Sequence, residues 1–239
     1  MRHYLLVLLL VFTATTFEEA SAQFNSVPVF YDPAPSSINR WTIAVSPAGG
    51  VNDDSGKNFA FAVRLSRSIS RLTVAAGVSA LNPEVSPGDR DFKIQVMGNV
   101  AVRVLPSPDA ELESADYTAF SIDLMAGVGY VSLGSGASEM NIPLGLGIAY
   151  TIEPESGGIG ITPWAAPRVS FRRVEFAGVS TTQTGAGFSA GVNAGFEGGL
   201  GFFLALDWVS FGESTSDSVT FPGVDPLTIG GGIRFRWGE

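Results

Sequence analysis

The sequence predicts an all-β fold, a transmembrane antiparallel up-and-down β-barrel of about ten strands, and three observations carry that expectation. Apolar residues alternate with small or polar ones at period two through most of the chain, the pattern of strands whose two faces meet different surroundings. Only 15% of the 239 residues are Asp, Glu, Lys or Arg, while there are 29 glycines and 17 phenylalanines, a low charge density against the roughly 25% of an average soluble domain. Aromatic residues fall near the ends of the alternating segments, where two membrane interfaces would lie.

The N-terminus reads as an export signal. Arg2 and His3 give a short positive start, Leu5 to Phe12 is an unbroken apolar run, and Ala20-Ser21-Ala22 places small residues at a cleavage spacing. The apolar run is far shorter than the ~20 residues a helix needs to cross a bilayer, so residues 1–22 are expected to be removed after Ala22. That removal takes away one arginine and two glutamates and changes the formal charge from -9 to -8. Residues 23–39 carry Pro28, Pro33 and Pro35 without a period and read as an irregular lead-in. The barrel is expected to occupy 40–239.

Ten strands follow from the alternation. They are Arg40 to Ala48, Asn58 to Ser66, Arg71 to Ala80, Phe92 to Val104, Tyr117 to Ser132, Met140 to Ile152, Ile159 to Val174, Ala186 to Phe196, Gly201 to Phe211 and Pro226 to Trp237. Met140, Ile142, Leu144, Leu146, Ile148, Tyr150 and Ile152 make one apolar face, and Asn141, Pro143, Gly145, Gly147, Ala149 and Thr151 make the other, small or polar one. With the N-terminus inside, the outer loops are Gly49 to Lys57, Leu81 to Arg90, Leu133 to Ser138, Glu175 to Gly185 and Gly212 to Asp225. The inner turns are Arg67 to Ser70, Pro106 to Asp116, Glu153 to Gly158 and Glu197 to Leu200. The second inner turn is long, which leaves an eight-stranded barrel as the alternative.

A soluble barrel would also alternate, with its apolar face inward, and the placement of aromatics discriminates. Phe59, Phe92, Tyr130, Phe171, Phe188 and Trp208 cluster near outer strand ends, and Trp41, Phe120, Tyr150, Phe196, Phe202, Phe235 and Trp237 near inner ends. The apolar face is therefore expected to meet outer-membrane lipid. The opposite face carries Arg40, Arg64, Lys93, Arg103, Asp123, Glu139, Arg168, Arg172, Asp207, Arg234 and Arg236, charges that need water or partners. Arg168, Arg172, Asp123, Asp207 and Arg103 form the candidate lumen cluster. Either these charges pair and hold a narrow barrel rigid, with Arg168 and Arg172 meeting Asp123 and Asp207, or a basic-leaning lumen passes or holds small anionic solutes.

Two stretches give a more specific resemblance. Ile142-Pro143-Leu144-Gly145-Leu146-Gly147-Ile148-Ala149-Tyr150 followed by Thr162-Pro163-Trp164-Ala165-Ala166-Pro167-Arg168 resembles paired strands of the bacterial outer-membrane-protein β-barrel domain families, which have eight to ten strands. The last strand, Thr228 to Trp237, is similar to their C-terminal assembly signal. The resemblance covers Arg40 to Glu239 in pattern and implies insertion by the outer-membrane assembly machinery. Its members include adhesins, small pores, structural proteins and a few enzymes, so it does not decide the role.

The sequence predicts no catalytic or cofactor motif. The single histidine, His3, lies in the segment expected to be cleaved, which removes the usual base of a Ser–His or Asp–His site. There are no cysteines, and hence no thiolate ligand or nucleophile. Asn52-Asp53-Asp54-Ser55-Gly56 lacks the spaced carboxylates of a calcium loop. Gly49-Gly50 with Gly56-Lys57 misses the phosphate-loop spacing. No basic run favours nucleic acid, and no residue pattern sets the oligomeric state. The chain is thus expected not to be an enzyme. The leading expectation is an integral outer-membrane barrel with a structural or surface-interaction role, whose outer loops present Asp53, Asp54, Glu84, Asp89, Glu213 and Asp217. A narrow channel for small solutes is the second reading, and a soluble periplasmic carrier of an apolar ligand the third.

Overall fold

The computed structural model describes residues 40–52, 59–82, 92–105, 118–134, 136–152, 158–196, 198–216 and 219–238. The expected signal segment and lead-in, and the acidic positions Asp53, Asp54, Glu84, Asp89 and Asp217, lie outside them. The strands are β1 (Trp41–Gly50), β2 (Phe59–Ile69), β3 (Leu72–Asn82), β4 (Lys93–Leu105), β5 (Thr118–Gly134), β6 (Ala137–Ile152), β7 (Gly160–Phe176), β8 (Val179–Gly195), β9 (Leu200–Phe211), β10 (Ser214–Ser216), β11 (Val219–Phe221) and β12 (Leu227–Trp237). Ten of them close one antiparallel barrel in which each strand pairs with its sequence neighbours and β12 pairs with both β9 and β1. The ten-strand, up-and-down expectation is borne out, and the eight-strand alternative is set aside. The long second inner connection separates two adjacent, paired strands, β4 and β5. Closure leaves no strand edge in the barrel, so every strand finds ladder partners on both sides.

Alternation decides the wall. In β4, Ile94, Val96, Val100 and Val102 point outward, with Ile94 59% exposed, whereas Gln95 and Arg103 are buried inside. In β7 the inward residues Thr162, Trp164, Ala166, Arg168, Ser170 and Arg172 are all buried. Because the side-chain period is two, one residue of slip would exchange these faces completely. The ladder between β6 and β7 is interrupted between the pairs Gly145–Arg168 and Ile148–Ala165, beside Pro167, which has no amide hydrogen to donate. Glycine is needed at position 191, because a Cβ there would lie 2.8 Å from Cζ2 of Trp164. Its absence lets the indole pack flat against β8.

The start of β1, the end of β12 and the β2–β3 turn lie at one end of the barrel, the terminal end. The end of β1, the β7–β8 turn and the described residues of the β5–β6 and β9–β12 connections lie at the far end. Here the structure corrects the expected loops. Glu175 to Gly185 is almost entirely strand, with β7 and β8 joined by Ala177 and Gly178 at φ 52° and 84°. Two positive φ values make the primed turn whose twist matches a hairpin. Ser180, Thr181, Thr182 and Thr184 read as a polar loop, yet threonine is a favourable strand residue when its partner strand continues. Leu133 to Ser138 is likewise mostly strand, and the β2–β3 turn falls at Ser70 and Arg71, three residues later than the expected start at Arg67. The segment Gly212 to Asp225 holds the short hairpin β10–β11, which was not foreseen.

Most aromatics lie as expected. Phe59, Phe92, Tyr130 and Phe171 are exposed towards the far end, and Trp41, Phe120, Tyr150, Phe196, Phe202, Phe235 and Trp237 towards the terminal end. Trp208 is only partly exposed, and Phe188 lies mid-strand because β8 begins at Val179 and not at Ala186. At the β1–β12 seam, Trp41 and Trp237 stack with centroids 6.5 Å apart and Phe235 stacks on Trp237 at 6.0 Å. The Arg67 guanidinium lies 5.1 Å from the Trp41 ring, so a cation also borders this aromatic group.

Candidate functional site

The site is the lumen, and it is filled in layers. Nearest the far end, Arg172 donates from Nη1 to Gln183 Oε1 at 2.9 Å and from Nη2 to Glu139 Oε2 at 3.0 Å. Arg172 and Glu139 are diagonal neighbours on β7 and β6, since Arg172 stands opposite Asn141 and Glu139 opposite Val174. The guanidinium also lies 5.7 Å from the Phe211 ring. Both partners of the ion pair are only 2% exposed, so each charge is tolerated because the other is present.

The next layer is centred on Asp207. Arg168 clamps it with two parallel bonds, Nη1 to Oδ1 at 2.6 Å and Nη2 to Oδ2 at 2.7 Å, while Ser189 Oγ donates to Oδ1 and accepts from Arg168. These residues sit on β7, β8 and β9 in succession. Gly187 stands opposite Arg168 on β8, and a Cβ there would press on Val209 of β9. The two-pronged geometry matches a planar guanidinium to a carboxylate and fixes orientation as well as charge.

Below this pair the filling is apolar. Trp164, Met125, Ala149, Ala166, Ala205 and Ala48 form a buried cluster, with Phe203 and Ala101 packed against it. The cluster draws on strands from opposite parts of the barrel and therefore spans the lumen. On its terminal side lies an open vestibule whose wall includes Arg64, Arg71, Arg103, Asp123, Met125 and Arg236. Arg103 and Asp123 stand directly opposite each other on β4 and β5, with Nε 3.4 Å from Oδ1.

The structure thus brings Arg168 to Asp207 and Arg103 to Asp123. Arg172 meets Glu139 and Gln183 rather than either aspartate, because it lies four strand residues, about 13 Å, further towards the far end than Arg168. The five candidate residues occupy three separate levels of one lumen, not one cluster.

The far end is covered by residues 212–216 and 219–226. Phe221 and Val224 are buried, Val224 packs with Val209 and Phe211, and Phe211 exchanges backbone bonds with Val224 at 2.8 and 3.0 Å. Gln183 Nε2 donates to the carbonyls of Gly212 and Pro222 at 2.9 and 3.0 Å. Asn52 holds the other side, donating to Asp225 O at 2.6 Å and accepting from Leu227 N at 2.9 Å.

No family model matches the chain, and no curated protein matches it. Among solved structures, it is similar to OmpT (in-vitro folded), an outer membrane protein of Vibrio cholerae, at 12% identity and TM-score 0.35, over 85% of this chain and 62% of that one. A trimer form of the same Vibrio cholerae protein gives 9% identity and TM-score 0.33, over 80% and 64%. The outer membrane protease OmpT from Escherichia coli gives 9% and TM-score 0.40, over 84% and 98%. The chain spans somewhat under two thirds of the length of the Vibrio cholerae chains.

Three inward groups were not singled out from sequence: Gln183, Trp164 and Phe211. A signal existed for Trp164, since Ile161, Pro163 and Ala165 already take the outward parity. Gln183 had none, because it lay in a segment expected to be loop. Gln183→Leu keeps the volume but deletes the bonds to Arg172, Gly212 and Pro222. Limited proteolysis should then cut within residues 212–226 at least tenfold faster than in the parent, with the barrel core still protected.

Proposed function

We propose that this chain is an integral outer-membrane β-barrel with a closed lumen, exported by a signal removed after Ala22, whose role is structural or surface-interacting rather than transporting or catalytic. The observation that carries this reading is the pairing of an apolar outer wall with a filled interior. About forty large hydrophobic side chains are exposed on the described residues, and leaving each in water forfeits about 1.5–3 kcal/mol relative to burial. The sum is tens of kcal/mol, against a net stability of about 5–15 kcal/mol for a folded domain. Hydrocarbon removes that cost without altering the fold. It also explains why bulky aromatics border the wall at both ends.

The far end is then the external one, presenting the long β5–β6 and β7–β8 hairpins, each strand of β5, β7 and β8 having 17 residues. This exceeds the 9–11 residues of a tilted spanning strand, so the hairpins stand clear of the bilayer and offer a surface for contact. The terminal strand Thr228 to Trp237 serves assembly in this reading, its outward Ile229, Ile233, Phe235 and Trp237 forming an exposed apolar row. Asp123 and Asp207 are each engaged by an arginine.

Two measurements test it. The folded protein should resist carbonate extraction from outer-membrane preparations, and release into the soluble fraction would refute the membrane assignment. In planar bilayers it should give no steady conductance, and a stable single-channel current would replace the closed barrel with the channel.

A further inference from the structure

The outer wall carries one cation that its own strands do not neutralise. Strands β12, β1, β2 and β3 contain no Asp or Glu, and of their arginines Arg67 alone takes the outward parity, shared with Leu65 and Ile69. The register sets Arg67 directly opposite Trp41, and Trp41 directly opposite Trp237. One outward row across three strands thus holds a guanidinium and two indoles. The guanidinium lies 5.1 Å from the Trp41 ring centre, and Trp41 and Trp237 stack with 14° between their planes. Among the described residues Arg67 makes no ion pair. A ring face orients a cation but does not cancel its charge. The next outward row towards the middle of the wall is Leu65, Ile43 and Phe235, all exposed.

We propose that this row is a binding site for the phosphate of an anionic phospholipid in the leaflet bordering the terminal end. The inference rests on the membrane assignment, in which this wall meets lipid. An arginine stem lies along apolar surface while its head reaches the interface, and the planar fork matches two phosphate oxygens. Indoles favour the same depth, so the cation and the aromatic shelf meet one headgroup together. The Leu65–Ile43–Phe235 row beneath takes the start of the acyl chains. The lack of carboxylates on the four strands sets the selectivity. A zwitterionic headgroup brings an ammonium that finds no acidic partner on them, whereas a headgroup of net negative charge is attracted as a whole. The protein's formal charge of -9 repels such lipids in general, so a preference for them has to come from a local site.

Mass spectrometry of the intact full chain released from detergent micelles tests the site, with dioleoylphosphatidylglycerol and dioleoylphosphatidylethanolamine titrated separately. The first glycerol lipid should bind about fivefold more tightly than the ethanolamine lipid, the effect of one arginine at a membrane surface. Arg67→Gln should remove the difference. So should Val74→Glu, which keeps the arginine and sets a carboxylate directly opposite it on β3. Arg173→Gln, exposed near the far end, should leave the difference unchanged. Inorganic phosphate at matched concentration should displace no lipid, since it has no chains to lie on the apolar row; displacement would make free phosphate the occupant and overturn the lipid site. Folding of each variant is read from its electrophoretic mobility before and after heating. Equal affinities in the parent, or a difference that survives in whichever of the Arg67 and Val74 variants folds, overturns the site. Carbonate extraction separates the two failures. A barrel that stays in the membrane without the lipid preference overturns this site alone, and one released by carbonate overturns the membrane assignment together with it.

Discussion

Asp207→Ala is expected to destabilise the barrel by about 3–5 kcal/mol, the usual loss when one partner of a buried ion pair is deleted and the other charge stays behind. Arg168 is 5% exposed in its side chain and spends both terminal nitrogens on Asp207. After the substitution it keeps Ser189, an uncharged acceptor that cannot compensate the guanidinium. Denaturant unfolding in detergent micelles, followed by tryptophan fluorescence, gives the measurement. The paired substitution Arg168→Met with Asp207→Leu should recover most of the loss, since two apolar groups of similar volume need no partner. A single substitution costing less than about 1 kcal/mol would mean that water reaches Arg168, as in an open pore.

Leu146→Arg has the second large effect. Leu146 lies on the outward face of β6, midway between Tyr150 and Ile142, and is 42% exposed. Arginine near the bilayer midplane of a barrel costs about 2–4 kcal/mol, and little near the interfaces. The expected result is a comparable loss of folding stability in lipid vesicles. In the same experiment Ser132→Arg, near the far end of β5 and exposed, should have almost no effect. If Leu146→Arg were neutral, or improved solubility without detergent, the wall would face water and the soluble carrier would be the better account.

The two predictions draw on different kinds of information. Leu146 could be placed outward from sequence because Met140 to Ile152 alternates without a break, and a strand has only two faces. The same argument oriented Arg103, Asp123, Arg168, Arg172 and Asp207 inward and placed most of the aromatic residues near the two ends. Strand number followed as well, since each alternating segment is long enough to stand alone. Turn chemistry was less visible. Ala177-Gly178 does not present the Asn-Gly or Asp-Gly pair that marks a tight hairpin, so the polar residues after it read as loop and Gln183 passed unnoticed.

By itself, then, the sequence determined the class of fold, the face to which each strand residue belongs, and the contrast between an oily exterior and a charged interior, because these depend only on a local period of two. Only the tertiary structure decided which charges meet, that Arg168 reaches over β8 to Asp207 and that Arg172 takes Glu139. Those outcomes depend on the stagger between neighbouring strands and on the closure of β12 against β1. Stagger is a property of the whole ring of ladders, and no single segment encodes it.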